Sequence, residues 1–143
     1  MVNGKMTEGT VKLKVISNQL SDGGKRFHSH SELTARYYYQ NDVLTYIYRE
    51  PKMGNTQTVL RVEKEGVRLT RQGEVEHELF FAQDKVWEAR YITPYGSFPV
   101  WLKATEVLVT LTGVVGNIKL KYELSAGGGE AVEFEVNIEI EGV

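Results

Sequence analysis

The chain has no cysteine, which removes disulfides, thiolate metal sites and cysteine nucleophiles together. No apolar run approaches the ~20 residues that a membrane helix needs. The opening stretch MVNGKMTEGT has no apolar segment of the secretory-leader kind. Basic residues are not in excess: 17 Lys and Arg stand against 19 Asp and Glu, a formal net charge of -2. The electropositive footprint of a nucleic-acid binder is therefore missing. These absences lead us to expect a cytoplasmic protein with no nucleic-acid and no membrane partner. Its 143 residues suit one domain with one core. We expect residues 1–9 to be a flexible terminus and residues 10–143 to form that domain.

What the sequence does contain is alternation. Val11-Lys12-Leu13-Lys14-Val15, Ile118-Lys119-Leu120-Lys121-Tyr122-Glu123-Leu124 and Val132-Glu133-Phe134-Glu135-Val136-Asn137-Ile138-Glu139-Ile140 each switch between apolar and polar at every residue. Period two predicts strands with one buried and one wet face. Further strands are predicted at 27–38, 43–49, 58–64, 67–72, 75–81, 86–93, 98–104 and 107–112. Turn signals separate them about every ten residues, at Asp22-Gly23-Gly24, Asn41-Asp42, Met53-Gly54-Asn55, Glu65-Gly66, Gln72-Gly73, Gln83-Asp84-Lys85, Pro94-Tyr95-Gly96, Gly113 to Gly116 and Gly127-Gly128-Gly129. No stretch of ten residues reads as an amphipathic helix. The expected fold is all-β: a single, closed or nearly closed, antiparallel meander barrel of about 8–10 strands, because closure removes unpaired edges. Lys12 and Lys14 on the first strand match Glu139 and Glu141 on the last, so these two strands are predicted to pair. In the hairpin 117–124/131–141, charge favours Lys121 opposite Glu133 and Lys119 opposite Glu135, with Tyr122 and Phe134 both facing inward.

Few residues stand out chemically. His28-Ser29-His30 places two imidazoles on one strand face, the spacing of a metal pair. That face also carries Glu32, Thr34 and Arg36 and reads as solvent side, while His77 falls on the core side with Val75, Leu79 and Phe81. We assign no metal site. Arg71 has the inward parity of Val67 and Leu69. A buried guanidinium needs a partner, which is either an internal carboxylate such as Glu50 or a ligand's carboxylate or phosphate held by two hydrogen bonds. The Gly127-Gly128-Gly129 run lacks the Lys-Ser/Thr of a phosphate loop. No nucleophile elbow and no carboxylate pair points to catalysis, so no catalytic residue and no cofactor is assigned.

The series Tyr48-x-Glu50, Arg71-x-Gly73, Tyr91-x-Thr93-Pro94-x-Gly96 and Gly116-x-Ile118-x-Leu120-x-Tyr122-x-Leu124 resembles the YwiB-like β-barrel proteins of Gram-positive bacteria, from about Val11 to Ile140. The resemblance implies a lipocalin-like (calycin) barrel in a bacterial protein and brings no assigned activity. Three functional readings follow, in this order. The first is a binding module whose interior holds a small, partly apolar molecule, oriented by Arg71 with Tyr46, Tyr48 or Tyr91. The second is a filled barrel acting through its outer surface on a protein partner. The third is an enzyme using the inward polar groups.

Overall fold

The alternating segments form ten strands, each antiparallel to its neighbours. The computed structural model describes residues 6–21, 24–126 and 131–143. The strands are β1 (Thr7–Leu20), β2 (Arg26–Gln40), β3 (Val43–Glu50), β4 (Thr56–Val62), β5 (Val67–Gln72), β6 (His77–Phe81), β7 (Val86–Thr93), β8 (Gly96–Thr112), β9 (Val115–Ser125) and β10 (Ala131–Gly142). A 3-10 turn, Pro51–Met53, joins β3 to β4. Pairing in β1 begins at Thr7, opposite Tyr39, so residues 7–9, expected to belong to a flexible terminus, are part of a strand; residues 1–5 lie outside the described residues. The glycine run 127–129 and the pair Asp22-Gly23 lie outside the described residues. Asn41 and Asp42 both adopt positive φ, the conformation that a tight two-residue hairpin requires.

The sheet runs β6-β5-β4-β3-β2-β1-β10-β9-β8-β7. The first and last strands do pair, with Lys12 opposite Glu141 and Lys14 opposite Glu139. A single bridge, Glu76 to Ile92, with both backbone hydrogen bonds at 2.9 Å, draws β6 and β7 together and nearly closes the barrel. β2 pairs with β3 only from Arg36 to Gln40. Along its first half it stands away from β3, and the carbonyl of His30 is met instead by the Lys52 ammonium at 3.0 Å.

Two sequence expectations are corrected here. Segments 98–104 and 107–112 are one strand, not two: β8 runs through a bulge at Thr105, between the pairs Ala104–Tyr122 and Glu106–Lys121. The bulge adds one residue and switches the inward parity from even to odd, which explains the apparent break. The β9–β10 register also differs. Lys121 lies opposite Glu135, Asn137 opposite Lys119, and Glu123 opposite Glu133. The inner face decides this. In the observed register Tyr122 stacks on Phe134 (centroids 5.0 Å, 9° between planes) and Ile118 faces Ile138. On the outer face Asn117 and Asn137 join side chains at 2.5 Å. A like-charge pair on a wet face costs a few tenths to ~1 kcal/mol, less than misaligning buried aromatic and aliphatic pairs.

The apolar core fills one end of the barrel. Val11, Leu13, Leu60, Val67, Leu102 and Ile118 are fully buried there. The opposite end carries the β1–β2, β3–β4, β5–β6, β7–β8 and β9–β10 connections and is open. Residues 26–30 of β2 are exposed on both faces, and the inward-facing Phe27 and Phe98 remain 52% and 44% exposed.

The register gives a direct test. Glu133→Lys places opposite charges across the Glu123 position, so stability should rise by about 0.2–1 kcal/mol in low salt and the gain should shrink in 1 M salt. Urea denaturation at two ionic strengths reads both; a loss of stability would contradict the register.

Candidate functional site

Four neighbouring strands contribute one inward row at the open end. Tyr48 on β3 lies opposite Thr58 on β4, Thr58 opposite Arg71 on β5, and Arg71 opposite His77 on β6. Glu50, two residues past Tyr48, shares the same inward parity. The Arg71 guanidinium donates to Glu50 through Nε (2.7 Å) and Nη2 (3.3 Å). Its Nη1 lies 3.1 Å from His77 Nε2, and the Thr58 hydroxyl donates to Glu50 Oε2. Burial works against the Arg71 charge, and the Glu50 carboxylate beside it more than compensates, so the guanidinium holds its proton more firmly than usual.

The ring of His77 is constrained by Arg71. Every nitrogen of a guanidinium donates and none accepts, so His77 Nε2 must be the acceptor and the neutral ring carries its proton on Nδ1. That Nδ1 is buried and has no hydrogen-bond partner. Desolvation first, and the Arg71 charge second, lower the pKa of His77 to about 3. Tyr91 on β7 stacks on the ring at 4.3 Å and approaches Phe98 at 5.9 Å. Tyr122 on β9 packs edge-on against Phe81 at 4.8 Å and joins the cluster electrostatically through Arg71. Burial raises the pKa of Tyr48, Tyr91 and Tyr122. All three therefore keep their phenolic protons, and among the described residues no hydrogen bond engages those hydroxyls.

The open end holds a cavity of about 700 Å³ bordered by Gln19, Phe27, Tyr122 and Phe134, and Tyr122 is its link to the cluster. A smaller cleft of about 360 Å³ runs along the β6–β7 seam, past Arg71, His77 and Trp87. Trp87 spans part of that seam by donating its indole N–H to the Glu78 carbonyl at 3.1 Å.

Of the four residues singled out from the sequence, the structure gathers three: Arg71, Tyr48 and Tyr91. Tyr46 shares their inward face but lies one step deeper toward the packed end, fully buried, with its hydroxyl donated to the Val114 carbonyl at 2.8 Å. It therefore stands outside the cluster. His28 and His30 are exposed on β2, and His28 Nδ1 lies 2.8 Å from Asn18 Oδ1. Among the described residues no group of three acidic or imidazole side chains is placed to hold a metal ion, and no helix is long and apolar enough to cross a membrane. Thr58, His77 and Tyr122 join the cluster without having been assigned to it. Their inward parity was readable, but their lateral proximity depends on which strands are neighbours.

The sequence matches a family described as a domain of unknown function, DUF1934, over residues 13–138. The chain belongs to that family. Its fold is similar to that of the ywiB protein from Bacillus subtilis, known from a crystal structure, with a TM-score of 0.82 at 21% identity and 96% of each chain covered. No curated protein matches the sequence.

Two measurements test the cluster. Removing one partner of a buried ion pair leaves the other charge uncompensated and costs about 3–5 kcal/mol. Arg71→Met and Glu50→Gln should each destabilise on that scale. The double variant should recover much of the loss, so a denaturation cycle giving additive effects would exclude the coupling. For His77, the unfolded chain protonates near pH 6.5 and the folded protein only near 3. The unfolded state therefore binds the extra proton, and stability falls as pH drops from 6.5 toward 3. His77→Phe should flatten that fall by up to about 1.4 kcal/mol per pH unit; an unchanged slope would contradict the assignment.

Proposed function

We propose that the barrel binds a small molecule at its open end, with the row Tyr48, Arg71, His77 and Tyr91 as the polar wall and Phe27, Tyr122 and Phe134 as the apolar one. One observation carries the reading. The open-end cavity of about 700 Å³ is lined by Tyr122, which interacts with Arg71, Tyr91 and Glu50, and in that cluster His77 Nδ1–H is buried without a partner while no hydrogen bond among the described residues engages the three tyrosine hydroxyls. Unspent hydrogen-bonding groups next to aromatic surface, in a concavity of a few hundred Å³, are the usual makings of a small-molecule site. Arg71 itself is held by Glu50, so it acts as an oriented donor within a neutral pair rather than as a free cation. The lack of cysteine is compatible with the reducing cytoplasm we propose for the protein.

A second reading, action through the outer surface, has its own observation. Val86 and Ile92 of β7 and Tyr95 at the β7–β8 turn are 62%, 44% and 99% exposed.

Native mass spectrometry of the purified chain, followed by titration with the uncharged dye N-phenyl-1-naphthylamine, separates the two. We expect one dye per chain with enhanced fluorescence. Gln19→Trp, which fills the cavity from its rim, should abolish the enhancement while leaving the unfolding midpoint within a few degrees. Dye binding that survives Gln19→Trp, or none in the parent protein, would remove the interior reading and leave the outer one.

A further inference from the structure

Given that reading of the mouth, we infer that its ligand is an uncharged planar molecule bearing acceptor oxygens, and that Glu50 is the residue that sets this specificity against anions. A guanidinium has five N–H groups. In this cluster Glu50 takes two and His77 takes one, which leaves two. The Nδ1–H of His77 is unused, and the protonated hydroxyls of Tyr48, Tyr91 and Tyr122 add three more donors. The Glu50 carboxylate, the one strong acceptor in the row, already receives Arg71 and the Thr58 hydroxyl. The wall therefore offers donors and asks for acceptors.

The charge balance narrows the class. Arg71 and Glu50 cancel, and His77 is held neutral by burial first and by the same arginine second. An incoming carboxylate or phosphate would meet Glu50 at hydrogen-bond range of its only cation and would have to displace it. The rim adds to this. Glu123 and Glu133 face each other across the β9–β10 ladder at the edge of the cavity, and among the described residues neither has an ion-pair partner. Lys121, on the same rim, is shared with Glu135 at 4.0 Å. The lining also carries Arg26, so three carboxylates (Glu123, Glu133, Glu135) stand against two cations (Arg26, Lys121) at the opening; an anion gains little there and meets a spent arginine inside.

Shape supplies the last element. The rings form two stacks, His77–Tyr91 with Phe98 tilted against it and Tyr122–Phe134, with Phe27 exposed on the opposite strand pair. Such surfaces favour a flat ring that stacks. Carbonyl or ring-oxygen acceptors on that molecule would reach the Arg71 and tyrosine donors.

The test uses two probes of one shape, 2-naphthamide and 2-naphthoate at pH 7, which differ in a single charge. The parent protein should bind the amide at least about tenfold more tightly by titration calorimetry, and Glu50→Gln should reverse the preference, because Arg71 is then uncompensated. If the parent protein binds naphthoate as well as or better than the amide, the charge inference falls and the mouth remains a binding site. If neither probe binds the parent or Glu50→Gln, the reading of the mouth falls as well. Where Glu50→Gln does not fold, the neutral double variant Arg71→Met with Glu50→Gln replaces it. That variant should still exclude naphthoate and lose about tenfold in amide affinity. An undiminished amide affinity would show that Arg71 makes no contact and would overturn the inference.

Discussion

The ladder between the first and last strands governs the rest of this molecule. Ten successive residue pairs join β1 to β10, turning a linear meander into a wall that curves back toward its own edge. Without it, β1–β6 and β7–β10 would be two separate sheets, each with a bare edge. With it, the far edges β6 and β7 approach closely enough for the Glu76–Ile92 bridge. The tips of β1 and β2 are also brought against β9 and β10, which creates the open-end cavity. Arg71 and His77, on β5 and β6, reach Tyr91 on β7 only across the seam that this closure sets up.

Most of the architecture was legible because each strand obeys a two-residue period, and a period of two fixes the face of every side chain without reference to neighbours. That is why Arg71 and His77 could be placed inward and His28 and His30 outward from sequence. Register is a different kind of information. It depends on which inward pairs pack, and the charges visible on the outer face are a weak guide to it. Lys121 and Glu133 looked complementary, yet the contact between Tyr122 and Phe134 outweighs them. The bulge at Thr105 left a trace of its own: inward parity passes from Leu102 and Ala104 to Val107 and Val109. That switch is equally consistent with two strands or with one kinked strand, and only the continuous pairing with β9 distinguishes them.

The site was partly legible for the same reason. Parity could identify Tyr46, Tyr48 and Tyr91 as inward, but depth along the barrel axis is invisible to it. Tyr46 and Tyr48 differ by two residues on one strand, and one proves to be core while the other borders the polar row. The pairing of Arg71 with Glu50 was anticipated by the rule that a buried cation finds a carboxylate. The part played by Thr58 and Tyr122 follows from strand order and register, which the sequence alone does not supply.

The distribution of unfavourable features carries the functional argument further than any single contact. The buried ion pair, the unpartnered His77 Nδ1, the Glu123–Glu133 opposition, the half of β2 standing away from β3 and the exposed rings of Phe27 and Phe98 all lie toward one end. The other end is a packed apolar plug of fully buried side chains such as Val11, Leu13, Leu60 and Val67. Had these features been incidental, nothing would gather them, since a surface like-charge pair and a buried orphan donor arise from unrelated causes. Sequences depart from local stabilising rules chiefly where function requires it, and such departures persist when the surrounding structure supplies enough stability to hold them. Here the packed end supplies that stability, and the open end is free to keep its donors unsatisfied and its rings uncovered.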